Sequence, residues 1–287
     1  MRETSHPRLR AALPLALKVP EITLIFWVLK LLTTGMGEAM SDFMGQQSVP
    51  IAGAIGIFGL AFALWLQFRA VEYRAPVYWF AVMMVAVFGT MAADGIHDGA
   101  SIPYSVTTPV FAAIVAATFF VWYRTEGTLS IHSINTRRRE AFYWTAVLGT
   151  FALGTAAGDL TAYSLNLGFW TSALLFAVIF AIPALAWWRL NLNPIIAFWA
   201  AYVVTRPLGA SLADGFSKPT NGGLGWGDGV VSAITLVVFI ALVAYVTVTR
   251  RDVQDASVVQ SERGPAQRHH LPQPHLERTP QFEGAES

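Results

Sequence analysis

Four times along this chain an aromatic residue stands beside a Trp, an Asp follows fifteen residues after that Trp, and a Gly lies five residues before the Asp. The copies are Phe26-Trp27 with Gly37 and Asp42, Tyr78-Trp79 with Gly89 and Asp94, Tyr143-Trp144 with Gly154 and Asp159, and Phe198-Trp199 with Gly209 and Asp214. A tandem repeat of this kind restricts the fold severely, because each unit is one supersecondary element that must bury its apolar face on its neighbours. It also lets the chain be compared with itself. Four carboxylates survive that comparison in very apolar surroundings.

Those surroundings define the class. Charged residues make up 13% of the chain and hydrophobic residues 54%, with a mean hydropathy of +0.49. Soluble domains carry about 25% charged residues, so lipid is the expected solvent for most of this surface. The absence of cysteine excludes disulfide and thiolate chemistry. Eight apolar stretches of about spanning length lie near 22–43, 51–68, 77–96, 104–123, 141–160, 170–188, 194–213 and 230–249. The expected fold is therefore all-α and polytopic, with eight transmembrane helices arranged as four parallel two-helix repeats over about 21–70, 74–125, 140–190 and 193–250.

Basic residues orient this array. Arg2, Arg8, Arg10 and Lys18 precede the first stretch, which reads as an uncleaved signal anchor. Sixteen Lys and Arg fall in the termini and in the loops after even-numbered stretches, and only Lys218 falls in the opposite loops. By the positive-inside rule both termini are cytoplasmic. The even helices end alike on that side, with Trp65 before Arg69, Trp122-Tyr123-Arg124, Trp187-Trp188-Arg189 and Tyr245 before Arg250, a pattern expected of an aromatic belt with basic anchors. Residues 1–20 form a cytoplasmic N-terminal segment. Residues 251–287, rich in Pro and polar side chains, read as a disordered cytoplasmic tail, and its His269, His270 and His275 as solvated residues.

Each unit is then an outward helix carrying the Trp, Gly and Asp, followed by a returning helix. Units of one orientation are related by an axis along the membrane normal, so the four Asp residues reach a common depth and can form a ring. At 1.5 Å per residue the Asp positions lie about 28 to 32 Å from Glu21, Arg74 and Glu140, near the outer boundary. Solvated carboxylates at helix ends would satisfy that depth alone. However, an Asp at a helix C-terminus opposes the dipole at a cost of about 0.3 to 1 kcal/mol, which calls for a partner. Four residues before each Asp, on the same helix face, stand Glu38, Thr90, Thr155 and Ala210, so three copies add an oxygen ligand. The glycines fit a second role, close helix approach.

Lys30 and Arg206 lie inside spanning segments, where a basic residue facing lipid costs about 2.5 to 3.5 kcal/mol. Both are expected to turn inward toward acids, Lys30 along the face that carries Glu38 and Asp42, and Arg206 toward Asp214. Internal ion pairing is one role; gating or counter-charging an acidic pathway is the other. His97 and Asp98, just past Asp94, have no equivalents in the other copies.

Catalytic signatures are scarce. Gly225-Trp226-Gly227-Asp228 matches the Gly-x-Gly-Asp of intramembrane aspartyl proteases, but it lies in a Gly-rich loop that a turn explains better, and no Tyr-Asp partner precedes it. There is no His-Glu-x-x-His, nucleophile elbow or phosphate-binding Gly-Lys loop, so no enzymatic activity is expected. Arg137-Arg138-Arg139 beside a membrane reads as an orientation signal and anionic-lipid contact, with no nucleic-acid partner.

The repeats, the opening Lys18-Val19-Pro20-Glu21-Ile22-Thr23-Leu24-Ile25-Phe26-Trp27 and the Gly37-Glu38 to Asp42 segment resemble a bacterial family of membrane-anchored proteins of uncharacterised activity, built from four tandem repeats. The resemblance covers about 15 to 250 and implies two membrane helices per repeat, location in the bacterial cytoplasmic membrane, and Trp27, Trp79, Trp144 and Trp199 as the characteristic tryptophans. It implies a topology and no particular reaction or cofactor.

The residues themselves favour transport or permeation of a small cation. Glu38 with Asp42, Thr90 with Asp94, and Thr155 with Asp159 are the expected ligands, and Asp214, which lacks a polar neighbour four residues before it, either joins them or serves Arg206 instead. Oxygen ligands without Cys favour hard ions such as Mn²⁺, Mg²⁺ or Na⁺, or protons. The alternative is a non-transporting sensor or scaffold whose cytoplasmic partner reads the tail or the basic loops.

Overall fold

In the computed structural model, which describes residues 17–253, the apolar stretches form eight long helices: α1 Leu24–Gln47, α2 Val49–Arg69, α3 Ala75–Asp94, α4 Tyr104–Glu126, α5 Arg137–Asp159, α6 Phe169–Leu190, α7 Pro194–Ser217 and α8 Asp228–Thr249. No strand occurs among the described residues. The starts follow local chemistry. Thr23, Thr136 and Asn193 accept backbone N–H bonds at the N-termini of α1, α5 and α7, and proline opens α2, α3 and α7, where its missing N–H costs nothing. Gly127, Asn191 and Arg250 stop α4, α6 and α8 in the left-handed conformation. Arg2, Arg8, Arg10 and the tail histidines lie outside the described residues.

The odd helices form an inner ring, α1 against α3, α3 against α5, α5 against α7, and α7 back against α1. Equivalent positions make every one of these contacts. Counted from each Trp, the Gly at +10 meets the residue at +7 of the next repeat: Gly37 meets Ala86, Gly89 meets Phe151, Gly154 meets Arg206, and Gly209 meets Thr34. A Cβ on Gly37 would fall 2.5 Å from that of Ala86, and one on Gly89 2.7 Å from that of Phe151, so the approach requires glycine. The aromatic-Trp pairs close the same circle. Phe26 packs on Trp79 at 5.8 Å between ring centroids, Tyr78 on Trp144 at 5.6 Å, Tyr143 on Trp199 at 6.1 Å, and Phe198 on Trp27 at 5.8 Å. Matching registers at both levels mean that the four odd helices run parallel.

The even helices form the outer shell, in an order the repeat pattern does not announce. Each one leaves its own unit and packs chiefly on the odd helix of the next: α2 on α3, α4 on α5, α6 on α7, and α8 on α1. Their outward faces expose Phe58, Phe62, Leu174, Ile182, Val237 and Ile240 among many other apolar side chains. A shell this apolar has the character of a lipid-facing surface. Six helices, α2, α3, α4, α6, α7 and α8, are long and apolar enough to cross a membrane. The other two, α1 and α5, carry Lys30, Glu38, Asp42, Glu140 and Asp159, several of them turned into the bundle.

At the ends of the even helices Arg69 stacks on Trp65, Arg124 on Phe120, Arg189 on Trp188 and Arg251 on Tyr245. Trp122 departs from the expected belt. It is fully buried between Phe142 and Trp199, because its face of α4 is turned to the inner ring.

Candidate functional site

The four repeated acids converge. Asp42, Asp94, Asp159 and Asp214, with Glu38, line one cavity of about 1070 Å³ at the Asp end of the inner ring. Ligand oxygens of Glu38, Asp159 and Asp214 lie within 4.8 Å of one another, and so do those of Glu38, Asp42 and Asp94. Glu38 belongs to both groups. Asp159 and Asp214 are buried, and Asp42 and Asp94 half-buried, which replaces the picture of four separate carboxylates in bulk water. One carboxylate oxygen of Asp214 is buried without a hydrogen-bond partner. Gln46 and Asp98 at the rim are exposed, so the cavity is a vestibule. Immediately after Asp94 and Asp159 the helices loosen into single π-helical turns, Gly95–Gly99 and Leu160–Ser164, that shape its wall. His97 lies in that wall, stacked on Tyr104 at 3.8 Å, with Nδ1 2.9 Å from the carbonyl of Ile102.

One turn deeper, at +11, the vestibule has a floor. The Arg206 guanidinium donates to Glu38 at 2.5 Å, to the Thr155 hydroxyl at 2.7 Å, to the Thr90 hydroxyl, and to the Thr34 carbonyl at 3.1 Å. It thus binds all three other repeats at once, with no exposed surface. Two expectations need correction here. Thr90 and Thr155 hold Arg206 and do not join the cavity wall beside Asp94 and Asp159. Arg206 takes Glu38 across the seam between the last and first repeats, and Asp214 does not serve it.

Lys30 also departs from expectation. It turns inward but meets no acid: its ammonium sits 4.0 Å from the Phe151 ring centroid and 4.2 Å from that of Tyr202, with no hydrogen-bond partner. Cation–π attraction compensates part of its desolvation. Below it the aromatic layer closes the axis, with Tyr78 and Tyr143 joined hydroxyl to hydroxyl at 2.5 Å.

Lys218 joins the acids although no repeat spacing links it to them. Its ammonium bridges Asp42 at 2.6 Å and Asp228 at 2.9 Å. Its isolation among the basic residues was visible in the sequence. Burial alone would lower its pKa, but Asp42, Asp228 and Asp214 together outweigh that and hold it well above the ordinary lysine value. Asp228 opens α8 and also accepts from Gln46 at 2.6 Å, after a loop in which Gly222, Gly225 and Gly227 all have positive φ. The Gly-x-Gly-Asp match is the loop that enters α8, with Gly227 as N-cap and Asp228 as the first helical residue.

Comparison with curated proteins gives no match, and neither does comparison with solved structures. A family model matches four times, over 25–73, 77–128, 142–192 and 197–252, each match starting one residue before the aromatic-Trp pair. With most of its length covered by these four matches, the chain belongs to the family described as Repeat of Unknown Function (DUF347).

Proposed function

We propose that this is an eight-span protein of the bacterial cytoplasmic membrane, with both termini cytoplasmic, whose acidic vestibule takes up a small hard cation and passes it across. Six helices have the apolar character for spanning. The case for α1 and α5 is that Lys30, Glu38 and Asp159 point into the bundle, leaving the even helices to meet lipid. The skew of basic residues toward the Trp end supports the orientation.

The observation that carries the functional reading is the charge in the vestibule. Six carboxyl groups, Glu38, Asp42, Asp94, Asp98, Asp159 and Asp214, line one cavity, and among the described residues only Arg206 and Lys218 form ion pairs with any of them. The excess must be met by protons or by bound cations, since like carboxylates this close cannot all stay ionised unaided. An all-oxygen ligand set suits Mn²⁺, Mg²⁺, Na⁺ or protons.

The test is a panel of Mn²⁺, Mg²⁺, Na⁺ and proton fluxes in reconstituted vesicles, comparing the native chain with Asp159→Asn and Asp214→Asn. At least one flux is expected and should fall about tenfold or more in both variants, the scale of a lost charged ligand. Unchanged flux in correctly inserted variants removes the proposal. One observation favours a second reading, a sensor that binds the cation without passing it: Arg206 and the aromatic layer close the axis below the vestibule. Cation binding without flux, together with loss of the cellular phenotype on deleting residues 254–287, would select it.

A further inference from the structure

We infer that Arg206 is a tethered competitor of the cation in the vestibule: guanidinium and mobile cation share the carboxylate of Glu38, and binding of one releases the other. The inference rests on the cation-binding reading above and adds the event that couples binding to the floor.

The repeat makes the asymmetry plain. At +7 the four copies hold Thr34, Ala86, Phe151 and Arg206, and at +11 they hold Glu38, Thr90, Thr155 and Ala210. One repeat supplies the cation and its neighbour across the closing seam supplies the acid, so a single ion pair sits near the axis where symmetric positions elsewhere are neutral. The guanidinium has a coordination shell like that of a bound cation: one carboxylate, two hydroxyls and one carbonyl. Its Nε has no partner, so the shell is not a complete arginine site.

Glu38 is also the carboxylate common to both ligand groups in the vestibule. A cation held by Glu38, Asp159 and Asp214, or by Glu38, Asp42 and Asp94, draws charge from the carboxylate whose Oε2 accepts from Arg206. The buried, unpartnered oxygen of Asp214 provides a second ligand beside it. Once the cation takes Glu38, Arg206 keeps only neutral acceptors, the Thr90 and Thr155 hydroxyls and the Thr34 carbonyl. Cation binding therefore loosens the floor. Conversely, the seated guanidinium weakens cation binding, as reciprocal linkage requires.

The experiment measures Mn²⁺ binding to the full-length protein in detergent micelles by the electron paramagnetic resonance signal of free Mn²⁺, for the native chain, Arg206→Ala, Arg206→Lys and Asp159→Asn. Arg206→Ala is expected to bind Mn²⁺ about tenfold more tightly, within the usual range of coupling between sites. Low-millimolar guanidinium chloride, and not NaCl, should reverse that gain and raise the variant's thermal midpoint. Arg206→Lys keeps a positive charge and covers the case in which Arg206→Ala does not fold; it should gain affinity to a smaller extent. Mn²⁺ binding that is lost in Asp159→Asn but indifferent to both Arg206 variants and to guanidinium leaves the vestibule reading standing and overturns the competition. No Mn²⁺ binding in any form overturns both.

Discussion

The ring of Phe198 lies 5.8 Å from that of Trp27, so the last repeat grips the first through the same contact that joins each earlier pair. Linear repeat arrays end in two open apolar faces that need caps. Here the fourth unit caps the first, and α8 packs on α1 as α2 packs on α3. Closure also explains why the repeated Asp residues meet: four parallel helices in one register around an axis bring equivalent side chains to one level.

The glycine contacts give the sharpest test of that register. In Gly37→Ala the new Cβ would lie 2.5 Å from the Cβ of Ala86 and 2.9 Å from its carbonyl carbon, and backbone cannot yield as a flexible side chain does. Overpacking of this kind should destabilise the fold by about 1–3 kcal/mol. Gly53→Ala in α2 meets nothing within 4 Å and should instead stabilise by about 0.5–1 kcal/mol, the usual helix gain. Thermal midpoints in one detergent read both, and equal shifts of the two variants would contradict the packing.

Lys218 carries a pH prediction. Its folded pKa is raised above the unfolded value because Asp42, Asp228 and Asp214 outweigh the effect of burial. The native state therefore holds the proton more tightly than the unfolded chain. Its stabilising contribution is fully present below about pH 10.4, the ordinary lysine value, and is lost as pH rises from there toward the folded pKa. The midpoint difference between the native chain and Lys218→Met should shrink as pH rises above about 10.4. A difference that grows above about pH 10.4 would refute the pairing.

Much of this fold is legible in the sequence, because retained positions in a repeat are retained by contacts that repeat. Trp27 to Asp42 and its copies yield the parallel units, the close-packed glycines and the ring of acids. What escapes is whatever depends on the neighbour across a seam. Arg206 and Asp214 are eight residues apart on one helix, about 12 Å along its axis, whereas Glu38 of the adjoining helix sits a single turn above Arg206. Spacing along one helix therefore suggests the wrong partner. Lys30 is misjudged for the same reason: Glu38 lies eight residues away on its own helix, while the Phe151 and Tyr202 rings from other repeats are adjacent. The choice of α2 for α3 over α1 leaves no signature, since an apolar outer helix looks alike on every side.

At the Trp end Lys18 donates to Glu140 at 2.8 Å, and both are buried. Gln67 completes the carboxylate's shell at 3.4 Å. Glu140→Met alone strands the ammonium and should cost about 3–5 kcal/mol, while Lys18→Met with Glu140→Met removes both charges and should recover most of that loss. A double-mutant cycle on thermal midpoints measures it. Additive effects of the two single variants would mean that the pair contributes no coupling.

Ring closure finally predicts tolerance to moving the chain ends. The backbone N–H of Glu21 donates to the carbonyl of Asp252 at 2.8 Å, so the first and last units meet where the described chain begins and stops. The link between α6 and α7 is only Asn191 to Asn193, and Asn191 is exposed. Opening the chain between Asn191 and Leu192, with Ser287 fused to Met1, gives the helix order α7, α8, α1 to α6. The α6–α7 contact then becomes a through-space contact, as α8–α1 is in the native order, and every other even helix still precedes the odd helix it packs on. Loop-closure entropy changes slowly with length, about 0.6 kcal/mol per doubling, so this permutant should insert in the native orientation and keep its stability within about 1 kcal/mol. Monodispersity, thermal midpoint and the accessibility of a cysteine placed at position 98 report the outcome. A permutant that inserts yet unfolds far below the native midpoint would mean that the ends, and not the closed ring, hold the repeats in register.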